Sequence, residues 1–172
     1  LISWDDASTL FHEFGHALHF LASKVEYPTL NGGVRDYTEF QSQLLERWLP
    51  TDEVIDAYLV HVETGEPIPD ELVAKLKKAK TFNQGFATTE YLAASLLDQA
   101  WHLAPVDGFP AAEAAVNFDE EALGRAGIKV DQVPPGYRWT YFSHIMGGYS
   151  AGYYSYIWSE VLDADSVEWF KE

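Results

Sequence analysis

Residues 3–24 carry Leu10, Phe11, Phe14, Leu18 and Leu21 at separations of three and four, the spacing of one side of an α-helix. Ser3 followed by Asp6 suits the start of that helix, because a serine side chain and a carboxylate three residues on can cap each other's backbone N–H groups. The same period recurs along the chain. Helices are expected over Asp36–Leu49, closed by Pro50, and over Thr51–Val62, broken by Thr64-Gly65-Glu66-Pro67. Others are expected over Pro69–Phe82, Thr88–Leu103, Phe109–Ala126 and Tyr149–Leu162, with one more starting at Asp165. Alternating runs are scarce. Only the aromatic Tyr137–Phe142 stretch could be extended, so the expected fold is mainly α, with little or no sheet.

The first helix contains Phe11-His12-Glu13-Phe14-Gly15-His16-Ala17-Leu18-His19, an H-E-x-x-H pattern. Residues four apart on a helix lie about 40° from each other around its axis. His12 and His16 can therefore offer two imidazole nitrogens to one zinc ion. Glu13 lies about 100° from His12, where a carboxylate can act on a water without ligating the metal. The plain alternative is two surface histidines on one face, since the pattern also occurs by chance. Its apolar setting argues for a task, because two His and a Glu are costly to bury idly. His19 reads as a packing residue.

The chain of 172 residues has no cysteine, so any metal rests on His, Asp or Glu. No His follows at the short spacing of an H-E-x-x-H-x-x-G-x-x-H enzyme. The candidates for a third ligand are Asp36, Glu39 and Glu46 on the second helix. Glu39, among Tyr37, Phe40 and Leu44, suits an inward carboxylate, although Asp36-x-x-Glu39 also has capping-box spacing. Glu46 could orient a ligating histidine through its other ring nitrogen.

A second unusual stretch runs from Ser143-His144 through Gly147-Gly148 to Tyr149, Tyr153, Tyr154 and Tyr156. Tyr153 and Tyr156 would share a helix face. A phenol there, or His144, could donate to an oxyanion, or these rings could simply pack in a core. The net charge of −16 argues against nucleic acid and against anionic membrane surfaces. No apolar run reaches the roughly 18–20 residues of a spanning helix, and no signal peptide is visible, so a cytoplasmic location is expected. The Lys75, Lys77, Lys78 and Lys80 cluster reads as a solvated face.

These residues resemble a known family. The 11–19 segment, Tyr27-Pro28-Thr29-Leu30, Arg35-Asp36-Tyr37-Thr38-Glu39-Phe40-Gln41-Ser42-Gln43 and Tyr141-Phe142-Ser143-His144-Ile145 are similar to the thimet oligopeptidase family of zinc metallopeptidases, closest to its bacterial peptidyl-dipeptidase branch. The resemblance covers nearly the whole chain. It implies a multi-helix zincin-type catalytic domain that cleaves short peptides, with release of C-terminal dipeptides. By motif position it implies one zinc ion on His12, His16 and Glu39, and Glu13 as general base. It implies His144 and Tyr149 as substrate-binding residues and Tyr153 and Tyr156 as transition-state donors. Gln41 stands where the family usually has Pro, and the loops at 31–34 and 147–148 look shorter. The start at Leu1 and the apolar end at Trp169-Phe170-Lys171-Glu172 fit a single catalytic-domain fragment, residues 1–172, cut at both ends. Its expected partners are peptide substrates and the remaining segments of a longer chain. A zinc-binding fragment inactive by itself, an oligoendopeptidase of the same family, and a metal-free helical module are the other readings.

Overall fold

The computed structural model describes residues 2–172. It contains seven α-helices and, among the described residues, no strand; a single isolated bridge joins Val60 and Pro67. The mainly α expectation holds. The chain divides into two compact units. One comprises residues up to Phe82 together with Ser155–Glu172, the other Asn83–Tyr154.

The first unit is built on α1 (Trp4–Ala22), α2 (Phe40–Glu46) and α7 (Ser155–Lys171), with α3 (Asp52–Tyr58) and α4 (Asp70–Ala79) between them in sequence. The capping box at the start of α1 is present: Ser3 Oγ accepts from the Asp6 N–H at 3.1 Å, and Asp6 Oδ2 accepts from the Ser3 N–H at 2.9 Å. Such a cap is worth about 1 kcal/mol. The apolar residues of α1 do not form a core among the described residues. Leu10, Phe14, Leu18 and Leu21 are exposed, and the only fully buried residue of the helix is Gly15. At Gly15 the backbones of α1 and α2 meet. A Cβ added there would sit 2.5 Å from Ser42 Cα and 2.6 Å from the Gln41 carbonyl oxygen. Neither backbone atom can rotate away. We therefore expect Gly15→Ala to push the helices apart and to cost about 1–3 kcal/mol, despite alanine's better helix propensity. Denaturant unfolding measures this, and unchanged stability would contradict the packing argument.

The second expected helix is shorter than its pattern. A 3₁₀ turn, Arg35–Tyr37, precedes α2, and Glu39 lies at the N-cap of α2 rather than one turn inside it. No capping box forms from Asp36, and Glu39's side chain makes no cap hydrogen bond. Ser42 instead donates to both the backbone carbonyl and Oε2 of Glu39, at 2.9 and 3.1 Å. Local bonding by serine thus fixes the entry to α2. Arg47, just past α2, pairs with the fully buried Asp163 of α7 at 2.5 Å, and Ser159 of α7 donates to the Asp36 carbonyl at 3.0 Å. Burial raises the Asp163 carboxyl above its ordinary range while Arg47 opposes the shift. On α4 the lysines are exposed, as a solvated face requires; Lys75 meets Glu71 at 2.6 Å and Lys77 meets Asp52 at 2.8 Å.

In the second unit α5 (Gln84–Leu103) packs on α6 (Ala115–Arg125) through Ala93, Leu97, Ala122 and Leu123, edged by Trp101 and Ile128. Trp101 Nε1 donates to the buried Asp119 at 2.8 Å. Tyr137–Phe142 is turn-like, not extended strand. The helix expected from Tyr149 begins only at Ser155 and then runs unbroken to Lys171, so the expected break before Asp165 is absent. Tyr149–Tyr154 cannot join it because Ala151 has a left-handed backbone, φ 54°, and because the N–H groups of Ala151 and Tyr153 are already bonded to the Asp98 side chain. Tyr153 and Tyr156 therefore do not share a helix face; Tyr153 lies in a turn of the second unit and Tyr156 on α7 of the first.

Candidate metal centre

In the first unit α1 and α2 bring three ligand-bearing residues together. His12 Nε2 and His16 Nε2 lie 3.1 and 3.3 Å from the same oxygen, Glu39 Oε2. The three donor atoms all fall within 4.8 Å of one another. The four-residue spacing on α1 sets the two rings side by side, edge to face, with centroids 5.0 Å apart and planes at 83°. The Gly15 contact brings α2 close enough for Glu39 to reach both.

Burial falls on Glu39, not on α1. Glu39 is 1 % exposed, whereas the two histidine side chains are 21 and 23 % exposed and Glu13 lies open to solvent. A buried carboxylate needs a cation or several donors. Two imidazoles that normally accept at one nitrogen, set against that carboxylate, form a donor set for a cation. A metal ion fits these residues. The hydrogen bond to Glu39, then the one to Glu46, raises the His12 imidazole to about 9, against the opposing effect of burial.

Glu46 fixes which nitrogen of His12 is offered. Its Oε1 lies 2.7 Å from His12 Nδ1, and its Oε2 accepts from Ser8 at 3.3 Å. With Nδ1–H donating to Glu46, Nε2 is left to face Glu39. A cavity of about 740 Å³ is lined by Glu46 together with Trp4, Arg47, Val73 and Asp163 among others; none of His12, Glu13, His16 and Glu39 lines it. His19 stacks on Phe20 and takes no part in the donor cluster. Of the three acidic candidates for a third ligand, only Glu39 joins the cluster.

The second unit assembles another group of rings. His144 lies 5.1 Å from Tyr153 and 5.9 Å from Tyr149 between ring centroids. Tyr137 and Phe142 complete the group: Tyr137 stands 5.2 Å from His144, and Phe142 stands 4.6 Å from Tyr153 with the planes perpendicular. Neither Tyr137 nor Phe142 was legible as a site residue, and the only signal was the local density of aromatics. Tyr153 is 7 % exposed. Burial, then neighbouring Tyr137 and Tyr91, hold its phenol well above the ordinary tyrosine range, so it keeps its proton as a hydrogen-bond donor. Tyr156, half-buried at the start of α7, accepts at its carbonyl from Gln43 Nε2 at 2.9 Å.

The whole chain, residues 1–172, matches Peptidase family M3. It belongs to that family. A dipeptidyl carboxypeptidase of Salmonella typhimurium is 43 % identical over 175 residues, and one of Escherichia coli is 42 % identical; each match covers all of this chain and 25 % of the relative. Oligopeptidase A of Escherichia coli is 37 % identical over 177 residues, again across 25 % of its length. The M3 chain described here thus spans a quarter of the length of these relatives. Its family membership agrees with the resemblance read from the motifs. Among the described residues no helix is long and apolar enough to cross a membrane.

Proposed function

We propose that these residues form the metal-binding part of a zinc-dependent peptidase that hydrolyses short peptides and releases C-terminal dipeptides. The observation that carries this is the convergence of His12, His16 and Glu39 on one point, two nitrogens and a carboxylate oxygen. Such a set suits a catalytic zinc, which takes three protein ligands and keeps a position open. Zinc held there supplies a Lewis acid that polarises a peptide carbonyl and makes water a better nucleophile.

The chain's own residues carry the remaining work. Glu13 takes the proton of the attacking water and hands it to the leaving amine; its open position beside His12 leaves it accessible for both transfers. Glu46 holds His12 in the tautomer that ligates. Tyr153 keeps its proton and donates a hydrogen bond to the oxyanion of the scissile carbonyl, with Tyr156 as the alternative donor. His144 and Tyr149 bind the peptide. The remaining segments of a longer chain complete the substrate channel, and the reaction takes place in the cytoplasm.

Release of dipeptides is supported by the higher identity to the dipeptidyl carboxypeptidases than to oligopeptidase A. Peptides with a free C-terminus should be shortened by two residues, and C-terminally amidated ones should resist. Equal cleavage of both would favour internal cleavage, as an oligopeptidase performs. The 25 % coverage favours a second reading, in which the isolated 172 residues hold zinc without turning over. Zinc content and peptide hydrolysis, measured on this chain and on the full-length protein that contains it, separate the two. Replacing Tyr153 by Phe in that protein should lower kcat by about 10²-fold, as expected when one oxyanion donor is removed, with zinc content unchanged.

A further inference from the structure

The segment Tyr149–Tyr154 has no regular secondary structure, yet side chains of α5 hold it at four backbone atoms. Asp98, fully buried, accepts the Ala151 N–H on Oδ1 and the Tyr153 N–H on Oδ2, each at 2.9 Å. Gln99 Nε2 donates to the Ala151 carbonyl at 2.7 Å. The Tyr91 hydroxyl donates to the Tyr153 carbonyl. Residues 151 and 153 are therefore each gripped at both their N–H and their C=O. His102, one turn after Asp98, has its Nδ1 2.8 Å both from Oδ1 of that carboxylate and from the Asp98 backbone carbonyl oxygen.

A buried carboxylate is a costly way to tie down a loop. An amide has a single acceptor oxygen and an NH₂ in place of the other, whereas a carboxylate offers a separate acceptor oxygen to each of the two backbone donors. The bonds also fix a particular geometry. With Ala151 turned into the left-handed region, Asp98 draws the N–H of Tyr153 toward α5, and Tyr91 holds the carbonyl of the same residue. The backbone from which the Tyr153 phenol projects is thus set by α5, and the phenol itself is packed among Phe142, His144 and Tyr137.

We infer that Asp98, assisted by Tyr91, is a positioning residue for Tyr153: it fixes the backbone of the 149–154 turn so that the tyrosine hydroxyl is presented in one place. This rests on the donor role of Tyr153 proposed above. An Asn at position 98 keeps the size of Asp98 but turns an NH₂ group toward one of the two backbone N–H donors.

The test is a double-mutant cycle in the full-length peptidase carrying these residues, with a peptide substrate. Asp98→Asn should lower kcat by about 10–100-fold, the scale of a small misplacement of a reacting group, with KM and bound zinc unchanged. In a Tyr153→Phe background the same change should cost less than about twofold, because there is no hydroxyl left to position. Equal losses in both backgrounds would overturn the inference, and so would full activity in Asp98→Asn. A Tyr153→Phe enzyme with undiminished kcat would be a different failure, one that removes the donor role itself and the inference with it. If circular dichroism shows that Asp98→Asn does not fold, Tyr91→Phe takes its place. It deletes one hydroxyl and keeps the ring, and its kcat loss should likewise vanish beside Tyr153→Phe. A loss that persists there would overturn the inference.

Discussion

Glu13→Gln should leave zinc bound at full stoichiometry and lower kcat by about 10²–10⁴-fold, the contribution of a positioned general base. The two halves of this expectation have separate origins. Glu13 stands outside the cluster formed by His12, His16 and Glu39, so neutralising it removes no ligand atom. Its exposed position on α1 means that an amide of equal size leaves no buried group unpaired. The fold and the metal should therefore persist while proton transfer is lost. Elemental analysis and peptide hydrolysis on the same preparation test this. A variant that kept its turnover would remove Glu13 from the chemistry, whereas one that lost its metal would show that the carboxylate is a ligand.

Glu39→Ala should have the opposite signature, with metal lost first and activity lost as a consequence. The buried carboxylate supplies the oxygen on which both histidines converge, and it is the only ligand delivered by α2. Without it α1 offers two imidazoles on one helix face, a poor cage for zinc. Disturbing a group that merely orients a ligand typically weakens metal affinity by about 10–100-fold, so deleting the ligand itself should exceed about 100-fold. Competition with a chromophoric chelator measures it. Affinity within tenfold of the original would mean that the third ligand lies elsewhere.

The donor cluster of His12, His16 and Glu39 was legible because it depends on spacing along one helix and on chemistry. Histidines four positions apart bring two rings to one side, and an absence of cysteine leaves only His and carboxylates to complete the set. Glu39 was favoured over Asp36 and Glu46 by its flanking Tyr37, Phe40 and Leu44, and the family resemblance strengthened that choice. What decides it physically is tertiary. Gly15 permits a backbone approach that aims Glu39 at α1, and the 3₁₀ turn leaves Asp36 with its carbonyl bonded to Ser159. The tyrosine segment was misread for a similar reason. Its composition fits a helix, but Asp98, more than fifty positions earlier, takes the N–H groups of Ala151 and Tyr153. No local pattern carries information of that range. The apolar period of α1 correctly gave a helix and said nothing about which side would meet α2.

That outward side of α1 has a consequence for handling the protein in solution. Leu10, Phe14 and Leu21 present greasy surface, each more than half exposed, on a molecule whose formal charge is −16. Exposed apolar stripes draw copies together, while like charge holds them apart over a Debye length of about 10 Å at 0.1 M salt. Added salt shortens that reach to about 3 Å at 1 M and strips away the repulsion without weakening the attraction. The isolated chain should therefore behave as a colloid stabilised by charge, dispersed in dilute buffer and increasingly self-associated as ionic strength rises, with light scattering reporting the crossover.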